Sequence, residues 1–225
     1  MQKALQHPTI LGLIVLAVAI YAGETATGHS LSVAYGLVPK ELIQAWLSLL
    51  GGDYGLSTIS ELLTTISALF LHGSPQHVLM NCVFLWLFGS IVSQHLGKWW
   101  AFACFFVCGV GGFALHAYMN RDSAIPCIGA SGSVSGLEGI YFGLILQWKL
   151  PWPEAWPLAH PIPPMQLGVF ALMGIGFDLY GIHQQATGIA FAAHIGGFVT
   201  GLVIAGIITH SVTTPQRWKS SAWYA

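Results

Sequence analysis

The sequence predicts an all-α membrane protein: a six-transmembrane-helix bundle forming a single domain, with a long, partly helical first loop. Three observations carry that reading. Of the 225 residues, 55% are hydrophobic and only 7% are charged, against about 25% charged in a soluble domain. Apolar windows close to the roughly 20 residues a membrane helix needs recur along the chain. The few charges also sort by side once those windows are taken as spans. With 7 basic and 8 acidic side chains the chain cannot cover a globule with charge, which excludes a soluble enzyme, a nucleic-acid binder and a disordered tail.

The first window is Pro8–Ala22. Lys3 followed by the apolar run Ile10–Ile20 resembles a signal peptide, but Thr25-Ala26-Thr27 is a poor cleavage site, so the segment is expected to stay as the first span. Gly23–Leu71 differs: Glu24, Lys40, Glu41, Asp53 and Glu61 stand among short apolar pieces. Glu41–Leu50 and Ser57–Leu71 read as amphipathic helices lying at an interface. The later spans are expected at His77–Leu96, Trp99–Tyr118, Gly132–Trp148, Met165–Gly181 and Ile189–His210. Between the fourth and fifth, Lys149–Pro164 holds Pro151, Pro153, Pro157, Pro161, Pro163 and Pro164 and cannot continue a helix.

With the N-terminus cytoplasmic, Lys3, Lys98, Lys149, Arg217 and Lys219 fall inside, and only Lys40 and Arg121 fall outside. Glu24, Glu41, Asp53, Glu61 and Asp122 lean outward. Trp99, Trp100, Trp148, Trp152, Trp156 and Trp218 gather near the inner interface, where aromatic belts form. Both termini are therefore expected inside.

Ionisable and polar groups within spans are expensive, so each is a candidate for function. The second, fourth and sixth spans all run from outside to inside. His77 and Asn81 open the second, Ser131 opens the fourth, and His194 lies about one turn into the sixth. One Ser, two His and one Asn are thus expected at similar depth near the outer face. A serine attacks a carbonyl only when a base takes its proton, and a neutral histidine can do so. The resulting oxyanion needs preorganised donors. Asn81, His77 and the free backbone N–H groups at the start of the fourth helix offer them. His77 and Asn81, four apart, share one helix face. Each element alone is weak; their agreement in depth is the signal.

The same residues resemble the rhomboid intramembrane serine proteases. The matching stretches are Phe70-Leu71-His72-Gly73 leading to His77 and Asn81, then Gly129-Ala130-Ser131-Gly132, Phe177-Asp178-Leu179-Tyr180-Gly181, and Ala193-His194-Ile195-Gly196-Gly197 with Gly201. They run in the family's order over Ser60–Gly206. The resemblance implies a serine-type endopeptidase that cuts transmembrane helices near their outer ends with a Ser–His dyad and no third carboxylate. Ser131 would be the nucleophile and His194 the base. His77, Asn81 and the Ser131 backbone N–H would form the oxyanion hole. Ile182–Gly188 would cap the site. Single-span or polytopic membrane proteins would be the substrates, in the lipid bilayer. Neither a cofactor nor a metal is expected. A multi-pass position in a prokaryotic inner membrane, with the site toward the outer face, follows from the compact chain and its charges.

Three positions depart from the family pattern: Leu63-Thr64 stand where many members carry Trp-Arg, Ser93 where Glu is frequent, and Ser135 where an aromatic packs on the catalytic imidazole. Ser135 implies that His194 is held in some other way. Glu138, seven residues after Ser131, is an addition on nearly the same helix face, about 10 Å deeper. It either holds water or a cross-helix hydrogen bond beneath the site, or faces an inner cavity with no part in the chemistry. Asp178 is expected to tie the outer end of the fifth span, with no catalytic part, and His72 and His116 to lie at the interface or behind the site. Cys104 and Cys108 read as apolar packing rather than a metal pair. Cys82 and Cys127, both toward the outside, are a candidate disulfide pair whose separation the sequence leaves open. The competing functions are a catalytically silent rhomboid-like protein that binds membrane helices, which should lack the nucleophile or base, and a haem-carrying anchor, which should show a Soret band.

Overall fold

In the computed structural model of the chain, residues 7–28, 30–153 and 162–211 are described. They form nine α-helices and one 3-10 turn. α1 spans Pro8–Ala26, α2 Ser30–Tyr35, α3 Pro39–Leu50 and α4 Leu56–Ser67, with the 3-10 turn at Ala68–Phe70. α5 spans Pro75–Leu96, α6 Lys98–Met119, α7 Ser131–Gln147, α8 Pro164–His183 and α9 Phe191–Ser211. Prolines occupy the first turn of α1, α3, α5 and α8, where the missing N–H costs nothing and the fixed φ suits the helix.

Five helices, α1, α5, α6, α8 and α9, are long and apolar enough to cross a membrane. α7 has 17 residues, about 25 Å. It is short because it begins at Ser131, below a non-helical stretch that follows α6. It is also the most enclosed helix: Val134, Leu137, Ile140, Tyr141 and Leu144 are all buried, between α5, α6, α8 and α9.

The most extensive helix pair is α7 against α9. Here backbones touch. A Cβ on Gly197 would strike the Gly132 carbonyl oxygen, and one on Gly201 would strike that of Gly136. Small residues permit this approach where no hydrophobic force between helices is available. α8, by contrast, buries only Leu167, Gly168, Ala171, Asp178 and Gly181.

A helix covers each window expected as a span, with shifted ends. α1 runs to Ala26, so Glu24 is inside the helix and fully buried rather than in a loop. α2 is an extra helix of the first loop. α4 stops at Ser67 and a 3-10 turn carries the chain to Phe70. α8 continues to His183, taking residues expected in the capping loop. Lys149–Pro153 is non-helical as its prolines require; residues 154–161, and Lys3, Arg217, Trp218 and Lys219, lie outside the described residues.

Candidate active site

Three helix N-termini meet at the site. Ser74 caps α5: its Oγ accepts from the His77 backbone N–H at 3.1 Å, with Pro75 in the first turn. This fixes where His77 and Asn81 leave the helix. Ser131 is the first residue of α7, whose opening N–H groups have no intrahelical acceptor. His194 is the fourth residue of α9, in its first turn.

The structure brings the sequence-predicted residues together. His194 Nε2 lies 2.8 Å from Ser131 Oγ. His77 and Asn81 converge on Gly129, two residues before Ser131. Gly129 has φ of +121°, a region open to glycine. A Cβ there would stand 2.6 Å from His77 Nε2 and 3.7 Å from Asn81 Nδ2. The Asn81 amide nitrogen is buried, with no hydrogen-bond partner among the described residues. An orphaned buried donor is costly; beside a helix N-terminus it is a place prepared for an anion.

Asp178, expected to tie the outer end of the fifth span, makes that tie through the imidazole: its Oδ1 is 2.8 Å from His194 Nδ1. A tight turn joins α8 to α9. The Ala186 N–H donates to the Gly181 carbonyl, and Gln185 takes a left-handed φ of +53°, a helix-ending motif that folds α9 back along α8. The imidazole is thus held by a carboxylate where Ser135 offers no ring. Glu138 is buried in α7 and faces α8: its Oε2 is 4.0 Å from where a Cβ of Gly174 would be.

The sequence reading missed Glu24. Its carboxylate accepts from the Ser32 backbone N–H at 2.8 Å and from the Ser32 hydroxyl. It also accepts from the His72 backbone N–H at 3.4 Å. Glu24 therefore joins α1 and α2 to the turn that leads into His77. His72 is fully buried behind that residue, with Nδ1 3.1 Å from the Phe70 carbonyl and its ring 4.9 Å from that of His77. Burial pushes the His72 imidazole down to about 4; His77 adds to the shift, while the Phe70 carbonyl and Glu24 oppose it.

The first loop is anchored without Trp-Arg. Leu63 is exposed. Backbone bonds pair Leu37 with Cys127, the Lys40 N–H reaches the Ser123 carbonyl at 3.1 Å, and Ser67 Oγ donates to the Tyr35 carbonyl at 2.7 Å. Ser93 sits 3.3 Å from His7 Nδ1. His116 lies in the last turn of α6. All four cysteines are free: Cys82 and Cys127 are not bonded, and Cys104 and Cys108 are buried in α6.

A helical membrane bundle with a serine–histidine pair at converging helix ends defines a class of membrane protein. The rhomboid domain matches residues 60–211, and the chain belongs to the rhomboid family. It is similar to Rhomboid protein 1, mitochondrial, of Saccharomyces cerevisiae, at 23% identity over 95% of this chain and 67% of that protein. RHOMBOID-like protein 12, mitochondrial, of Arabidopsis thaliana is 28% identical over 60% of this chain and 43% of its own length. Rhomboid protease GlpG of Yersinia pestis is 25% identical over 88% and 62%. The chain thus spans about two-thirds of the yeast relative and less of the other two. The mitochondrial names do not support the expected prokaryotic inner membrane.

Proposed function

We propose that this protein is an intramembrane serine endopeptidase acting on transmembrane-helix substrates. The 2.8 Å approach of His194 Nε2 to Ser131 Oγ is the observation that carries this reading, and membership of a family that includes a named protease supports it. In the proposed reaction His194 Nε2 takes the hydroxyl proton as Ser131 Oγ bonds to the scissile carbonyl carbon. The tetrahedral oxyanion is received by His77, Asn81 and the Ser131 backbone N–H. The intermediate collapses as His194 passes the proton to the leaving amine, and water then hydrolyses the acyl ester by the same route in reverse. The proposed orientation puts the site near the outer face, with both termini on the inner side.

The test is cleavage of a reporter with one transmembrane helix by the purified protein in lipid vesicles, wild type beside Ser131→Ala. The expected result is a cut near the reporter's outer boundary that the variant lacks. Equal cutting by both would remove Ser131 from the mechanism. No cutting by either, with no labelling of the wild type by a fluorophosphonate, would favour a silent helix-binding protein.

A further inference from the structure

We propose that Asp178 is a third member of the site, a positioning residue that fixes the His194 imidazole for proton transfer. The proposal rests on the reading of Ser131 and His194 as nucleophile and base. His194 is bonded at both ring nitrogens: Nε2 to Ser131 Oγ and Nδ1 to Asp178 Oδ1, each at 2.8 Å. A carboxylate oxygen only accepts, so the proton of the neutral ring stands on Nδ1 and the lone pair of Nε2 faces the serine. A lone Ser–His pair leaves that choice of tautomer open. The side chains of His194 and Asp178 are only 18% and 12% exposed. Such a bond is electrostatically stronger there than in water. The bond also spans α8 and α9 and supports the ring from the side opposite Ser131.

When His194 takes the serine proton, it becomes a cation between the new oxyanion and Asp178. The carboxylate then stabilises charge that exists only during reaction, so its removal should fall on kcat and spare KM. The other ionisable groups near the pair are His77 of α5 and His116 of α6, toward His194, and Glu138 of α7, toward Asp178. His77 and His116 are bases, and among the described residues the hydrogen bond from Nδ1 goes to Asp178.

The test compares wild type with Asp178→Asn, Asp178→Glu and Ser131→Ala on the same reporter, with folding followed by thermal denaturation. Asp178→Asn is nearly isosteric and is expected to lower kcat by about 10²- to 10⁴-fold, with KM within about threefold and little change in Tm. Asp178→Glu, which keeps the charge, should recover part of the loss. A readout independent of cleavage is the downfield proton resonance of a carboxylate-bonded imidazole N–H. It should be present in wild type and Ser131→Ala, and lost from Asp178→Asn and His194→Ala. A folded Asp178→Asn protein with wild-type kcat, or with the resonance intact, would overturn the proposal. If Ser131→Ala cleaved as well as wild type, the parent reading would fail and Asp178 would be left a structural tie; the resonance would still report whether the pair exists.

Discussion

The α7–α9 seam and the α8 rim lie on either side of His194 and are built on opposite principles. In the seam, glycine faces glycine and backbone rests on backbone, so neither helix can shift without a clash. The rim is held by few buried residues. Phe170, Met173, Phe177, Leu179 and Tyr180 face outward, and a stacked ring pair, Phe84 with Phe170 at 5.8 Å, links it to α5. The seam contributes Ser131 and His194; the rim contributes Asp178. Close packing is thus concentrated around the 2.8 Å serine–histidine contact, and the neighbouring helix buries few residues.

The sharpest way to break this contrast is to crowd the seam. Gly201→Leu forces a side chain against the Gly136 carbonyl and is expected to cost more than about 4 kcal/mol, read as loss of folded protein on purification. A merely lowered Tm would mean that the seam can open. Asn81→Ala, beside the seam, should spare Tm and lower kcat by about 10²–10³; an unchanged rate would remove Asn81 from the oxyanion hole. On the rim, Phe170→Ala loses the stacked pair, worth about 1 kcal/mol, and should shift Tm by a few degrees at most. A collapse there would show the rim to be as rigid as the seam.

Acidification tests the turn behind His77. The His72 imidazole titrates near 4 when folded and near 6.5 when unfolded. The unfolded chain therefore binds the extra proton first, and stability present above pH 6.5 is lost as pH falls toward 4. Tm should decline across that window, and His72→Asn should flatten the decline. The smallest effect is expected at Gln185→Gly. Relieving the left-handed φ of +53° should stabilise by about 1 kcal/mol, raising Tm slightly.

The helices and the meeting of Ser131, His194, His77 and Asn81 were legible because each rests on a local pattern: hydrophobic windows, an i, i+4 pair on α5, and a Ser and a His at helix starts with glycine close by. Asp178 was legible as a residue but not as a partner of His194. That contact joins two helices that meet through a turn at left-handed Gln185, and Gln gives no signal for such a turn. Glu24 failed for a related reason. A carboxylate at the end of the first span reads as a solvated charge, and its donors, Ser32 and the His72 N–H, lie 8 and 48 residues away. Ends of helices slipped wherever no proline or cap marked them, as at Ala26 and His183.

The shortness of α7 bears on supply as well as on position. Hydrolysis consumes one water molecule per bond cut, and lipid tails carry almost none. A 17-residue helix falls about 5 Å short of the roughly 30 Å hydrocarbon layer. The missing depth is filled by irregular backbone between α6 and α7, where Arg121 and Asp122 are exposed. Exposed charged side chains keep such a segment wet. On the proposed reaction, the stretch that lowers Ser131 into the membrane is also the conduit by which the second reactant arrives.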